Sequence, residues 1–111
     1  MRTVLLADLL DVAGVLALLP ASERPALLAR LIDMAHCAHK VSRRLGHPHP
    51  LWGNGGLGSA ASGLPRMREP VGPDPDHLEA LALVALEIAR RARRARRKDP
   101  FPVAGIDYVL P

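Results

Sequence analysis

The sequence predicts an all-α protein: an antiparallel helical hairpin, a tryptophan-containing Gly/Pro joint, and a long third helix with a basic end and an extended C-terminal tail. Three observations carry this. Aromatic residues make up only 3% of the 111-residue chain, so Leu, Ala and Val must fill the core, and Ala and Leu favour helix over sheet. Apolar residues recur at helical spacing in three separate stretches. Prolines and glycines punctuate the chain between those stretches. A chain of this length is one domain by default. The expected division is a helical body over 1–89 and a basic and apolar end over 90–111.

The first helix is expected over about 6–19, ended by Pro20. Its polar residues, Asp8 and Asp11, are three apart and share a narrow face. A solvated face is the simplest reading of them. The rest of that helix is apolar nearly all round, so it must be covered on most sides, by the other helices or by a second subunit. Ser22 is expected to cap the second helix, with Pro25 tolerated in its first turn. Leu28, Leu31, Ile32, Ala35, Ala38 and Val41 form its apolar stripe. Arg43 and Arg44 suit its negative C-terminal end, and Gly46 suits the residue after it. The hairpin thus spans about 6–45.

The joint covers 46–56. His47-Pro48 and His49-Pro50 force extended chain. Leu51 and Trp52 follow, then Gly53-Asn54-Gly55-Gly56, which is turn chemistry. The simpler reading is a plug, with Leu51 and Trp52 sunk between helices and the indole N–H on a carbonyl. The functional reading is a recognition loop, with Trp52 as anchor and His49 as a polar contact. A small-residue segment, 57–64, has the makings of a short helix that Gly58 and Gly63 weaken. A Pro-rich linker covers 65–75. The third helix opens with Asp74 as cap and Pro75 in the first turn.

At Arg90 the third helix changes character. Arg90, Arg91, Arg93, Arg94, Arg96, Arg97 and Lys98 surround it, leaving only a thin line of alanines. Residues 90–98 hold seven of the fifteen Lys+Arg and no acid, so the rest of the chain carries eight bases against eleven acids. A mildly acidic body with a strongly basic end suggests an anionic partner. Seven cations can contact several phosphates with little sequence preference and strong salt dependence. A plain solvated charge run is the alternative. Beyond it, Phe101, Ile106, Tyr108 and Leu110 form an apolar peptide that either folds back or docks on a partner.

Other classes are disfavoured. One cysteine, Cys37, excludes an internal disulfide framework and fits a reducing cytoplasm. The apolar N-terminal stretch is too short for a membrane span, and each Asp at its centre would cost about 2.5–3.5 kcal/mol. No membrane association and no cleaved signal are expected. His36, Cys37, His39, His47 and His49 cluster in sequence but match no standard zinc spacing, so no metal is expected; surface histidines and a small core cysteine are the simpler reading. Ser59, Ser62 and Cys37 lack an evident base and orienting group, so no catalytic residue and no cofactor are expected. The glycine-rich joint lacks the lysine and preceding strand of a phosphate loop.

Arg43-Arg44, Gly46, His49-Pro50-Leu51-Trp52-Gly53-Asn54-Gly55 and Leu57 resemble a small alphaproteobacterial family whose members share a helical hairpin, a GxxHPLWGNGxL joint and a Pro-rich link into a last helix. That family is similar to the small terminase subunit of phage-like gene transfer agents. The layout resembles it over about residues 4–88 and the motif over 43–57; Gly58, Gly63 and the long arginine end depart from it. The resemblance implies a homo-oligomeric, non-enzymatic adaptor that hands DNA to a large terminase motor. The expected sites are the cations of 90–98 for phosphate, and Trp52, His49, Phe101, Ile106, Tyr108 and Leu110 for protein partners. The alternative is a regulatory protein–protein interaction module that uses the Trp52 loop and has no nucleic-acid role.

Overall fold

A computed structural model describes residues 1–98, the last of them by its backbone alone. Phe101, Ile106, Tyr108, Leu110 and the Lys98 side chain therefore lie outside the described residues. Those residues are mostly helical and contain no strand. In chain order they form α1 (Leu6–Ala17), a 3-10 turn (Ala21–Glu23), α2 (Arg24–Leu45), α3 (Leu57–Ala61) and α4 (Pro75–Lys98).

The core gathers on α1. Val12, Ala13, Val15 and Leu16 are buried there against Leu28, Leu31, Ile32 and Ala35 of α2, Leu57 and Ala60 of α3, and Ala80 and Val84 of α4. The first helix is thus wrapped within one chain along its second half. Its ends are not: Leu5 and Leu6, at 62% and 69% exposure, and Leu18 stay in solvent. Its main partners are α4 and α3, and its direct contact with α2 is small. The α1–α2 connection is therefore not a tightly packed pair; α4 and α3 occupy the faces of α1 that such packing would use.

Two starts and stops differ in an instructive way. The chain after Pro20 winds into a 3-10 turn, with the Glu23 N–H on the Pro20 carbonyl at 2.9 Å. Ser22 sits inside that turn, so it does not cap α2, which begins at Arg24 with no side-chain cap. At the other end Gly46 takes φ 75° and donates its N–H to Ser42; a glycine is favoured where the chain leaves a helix left-handed. The start of α4 is capped by Asp74, whose Oδ1 accepts the His77 N–H at 3.0 Å.

Arg24 joins three elements. It is 4% exposed. Its Nε donates to the Leu16 and Leu19 carbonyls, at 2.9 and 3.1 Å, at and just past the end of α1; the Leu16 carbonyl also accepts the Leu19 N–H at 3.0 Å. Its Nη2 reaches Asp76 Oδ1 at 3.0 Å, and its Nη1 lies 3.8 Å from Glu79 Oε2. Both carboxylates belong to the first turns of α4, so one guanidinium closes α1 and anchors α4. Its burial is tolerable because its N–H groups meet carbonyls and carboxylates.

The Pro-rich stretch before α4 is a strap. Met67 exchanges a hydrogen bond with α1, its N–H on the Gly14 carbonyl at 2.9 Å, and its side chain packs on the core. A Cβ at Gly14 would stand 3.0 Å from the Met67 carbonyl oxygen, which explains a glycine within an otherwise apolar helix. Arg66 pairs with Asp11 at 2.6 Å. Asp11 is therefore part of the strap's attachment rather than only a solvated acid.

Candidate functional site: a tryptophan-lined groove and a basic helix end

The joint folds on itself through side chains that bond backbone. His49 and Gly53 exchange two backbone hydrogen bonds, at 2.8 and 3.1 Å. Between them the Leu51 and Trp52 N–H groups both donate to His49 Nδ1, at 3.0 and 3.1 Å. A nitrogen accepting two N–H groups carries no proton, so the neutral ring holds its proton on Nε2. The His49 ring stacks on the indole, centroids 4.6 Å apart and planes 4° from parallel. Asn54 Oδ1 then accepts the Gly56 N–H and the Ser59 hydroxyl, both at 3.0 Å, which ties the loop to α3. Gly55 sits at φ 98°, and a Cβ there would lie 2.7 Å from His39 Cα. Its glycine is required twice over, by conformation and by contact with α2.

Asp8 holds α3 from the other side. Its Oδ2 accepts the Leu5 N–H at 2.9 Å, and its Oδ1 the Gly58 N–H at 3.1 Å. It thus supports the first turns of both α1 and α3. A Cβ on Gly58 would come within 2.7 Å of that oxygen. Asp8 is therefore a bonded structural acid.

This arrangement leaves Leu51 80% exposed, so it is not sunk between helices. The reason is local: the turn closed by His49 and Gly53 directs the chain outward at that residue. Trp52 is half-buried and lines a groove of about 410 Å³ with Leu27, Arg30, Leu31, Met34, Leu51, Ala60 and Leu64. The groove is mostly apolar, with Arg30 as its cation.

The basic end is one unbroken helix with the body. Ile88 is the last residue of α4 packed on the core. Glu87, its side chain only 18% exposed, accepts from Arg90 at 2.6 Å and from Arg91 Nε at 2.8 Å. Those hydrogen bonds hold the Glu87 carboxyl down at about 2 and raise the Arg90 guanidinium above its ordinary value. Arg90 and Arg91 are thus engaged within the chain. Arg93, Arg94 and Arg97 are exposed, and Arg96 is exposed with an interaction of its own.

The histidines and cysteine do not gather. Among the described residues no three His, Cys, Asp or Glu side chains are placed to hold a metal ion. His36 is held below its ordinary range by partial burial, and then by positive neighbours that include Arg91. Cys37 is exposed, which corrects the expectation of a core cysteine: it lies on the outer face of α2. His77, which sequence reasoning passed over, is 6% exposed between α4 and the strap. Among the described residues no helix is long and apolar enough to cross a membrane.

The family comparison covers the body. A family model described as a domain of unknown function, DUF7742, matches residues 2–88, and the chain belongs to that family. The match contains the joint, the groove and the core-packed part of α4, and stops short of the arginines. No curated protein and no solved structure matches the chain.

Proposed function

We propose that this chain is a non-enzymatic, self-associating cytoplasmic adaptor that resembles a small terminase subunit. It binds DNA without sequence preference through the end of α4 and docks a larger packaging motor. The observation that carries the reading is the exposure of Arg93, Arg94 and Arg97 on an unbroken helix beyond its last core contact. A helix rises about 1.5 Å per residue, so Arg97 stands about 13 Å past Ile88. Cations held on such a projecting helix meet phosphates with little ordering cost. The apolar residues Phe101, Ile106, Tyr108 and Leu110 follow directly and are assigned to the motor, with Trp52 and His49 as a second contact.

The test is fluorescence anisotropy with a short DNA duplex across a salt series. The wild type should bind with affinity that falls steeply with salt. Replacing Arg93, Arg94 and Arg97 with Ala should reduce the log–log slope by about 2.7 if each contacts one phosphate. Binding that ignores salt, or that survives the triple change with its slope intact, removes the DNA reading.

The groove favours a second reading, a regulatory module that grips a protein partner through Leu51 and Trp52 with no nucleic-acid role. Its support is the 80% exposure of a leucine beside a half-buried tryptophan; tryptophan is a characteristic anchor of protein interfaces. Leu51→Asp should then abolish partner capture while leaving DNA binding intact. Capture unchanged by Leu51→Asp sinks it.

A further inference from the structure

One face of α4 is left largely uncovered by the described residues. Leu78 is 52% exposed and Leu86 67%, and Ala82, Ala85 and Ala92 are exposed as well. At 100° per residue, Leu78, Ala82, Ala85, Ala89 and Ala92 lie within an arc of about 80°, opposite the buried residues His77, Ala80 and Val84. Leu86, Glu79 and Arg93 fall together along one flank of that arc.

We infer that this face of α4 pairs with the same face of a second copy of the chain, antiparallel, about a two-fold axis at Ala85. Charge selects both the partner and the direction. Residues 71–89 contain acids and no Lys or Arg, while 90–98 contain seven cations and no acid. A parallel pair would stack the arginine ends on each other. An antiparallel pair lays the basic end of each copy over the acidic start of the other. Size agrees with charge. With the axis at Ala85, Leu78 of one copy is level with Ala92 of the other, Ala82 comes within about 1.5 Å of level with Ala89, and Ala85 meets itself. The one large side chain of the arc, Leu78, thus faces a small one, which allows close helix approach. On the flank, Glu79, with its side chain 70% exposed, comes beside Arg93 of the second copy. Identical surfaces brought together in this way form a closed, isologous dimer.

The pairing deepens the self-association in the proposed adaptor, but it is independent of DNA. It carries the two arginine ends to opposite ends of the seam, about 27 Å apart at the level of Arg94.

The test is analytical sedimentation of the full, nuclease-treated chain. The wild type should sediment as a concentration-dependent dimer. Ala85→Glu puts two carboxylates on the axis and should weaken it about 100-fold or more. Circular dichroism should show the fold unchanged, because Ala85 is exposed. Direction is read with a short thiol cross-linker in a Cys37→Ser background. Glu79→Cys mixed with Arg93→Cys should link, and neither should link to itself, since self-pairs stand about 18 Å or more apart along the seam. A monomer at every concentration, a dimer indifferent to Ala85→Glu, or self-linking of either variant overturns the inference. DNA affinity, measured separately on the same variants, stands or falls on its own.

Discussion

The joint and the basic end of α4 are both polar, yet they are held in opposite ways. In the joint nearly every polar side chain bonds backbone: His49 to Leu51 and Trp52, Asn54 to Gly56, and Asp8 to Gly58. Glycines there let elements touch at distances a Cβ forbids. In the basic end the helix backbone bonds to itself, and Glu87 pairs with the two arginines nearest the body. The joint is specified by contacts and so should be sensitive to single atoms. The basic end is specified by helix continuity and charge, so its individual side chains should be free to change without structural loss. A surface that meets an anionic polymer needs the second kind of construction.

That contrast can be broken or sharpened by measurement, beginning where the effect is largest. Gly55→Ala adds a methyl group against His39 Cα at a positive φ; it should destabilise by about 2–4 kcal/mol, read as a fall in Tm of roughly 10 °C or more. A shift of only a degree or two would mean that the joint can relax, and the contrast would fail. Arg24→Met removes the buried clamp, taking the guanidinium from the Leu16 and Leu19 carbonyls and from Asp76. The expected cost is about 2–3 kcal/mol by denaturant titration, and an unchanged midpoint would show that water replaces the guanidinium.

Asn54→Ala loses two hydrogen bonds at the half-buried edge of α3 and should cost about 1 kcal/mol. At the other end of the molecule, replacing Arg93, Arg94 and Arg97 together should move stability by no more than about 0.5 kcal/mol, as surface changes usually do. A larger loss by calorimetry would place those arginines in the fold.

The smallest effect is a titration. The Glu87 carboxyl has its pKa lowered from 4.5 to about 2 by Arg90 and Arg91. A lowered pKa means that the unfolded chain binds the proton more readily, so the contribution is present above about 4.5 and is lost as pH falls towards 2. Carboxyl NMR should follow that midpoint, and Arg90→Ala should raise it.

Much of the fold was legible one residue at a time. Pro75 after Asp74, Gly46 after Arg43-Arg44, and Pro20 after an apolar run mark helix ends because each acts through its own backbone. The arginine run was legible as a surface for the same reason: no core accepts seven cations. The groove was half legible. Trp52 announced itself as the chain's one tryptophan, but nothing in the order of residues told that Leu51 beside it would face solvent. That depended on His49 closing a turn around both.

What the sequence determined by itself was local: helical segments, their breaks, the placement of charge and the glycine turns, all consequences of backbone preference and spacing. Only the tertiary structure decided which polar groups meet across long separations. Arg24 carries no mark in the sequence, yet it is buried across three elements. Asp8 and Asp11 read as a solvated face, yet they hold α3 and the strap. Gly14 admits the Met67 carbonyl, 53 residues on. The partners in these contacts lie between 8 and 55 residues apart. No propensity or period encodes a pairing of that kind, because its energy exists only once packing has brought both groups out of water.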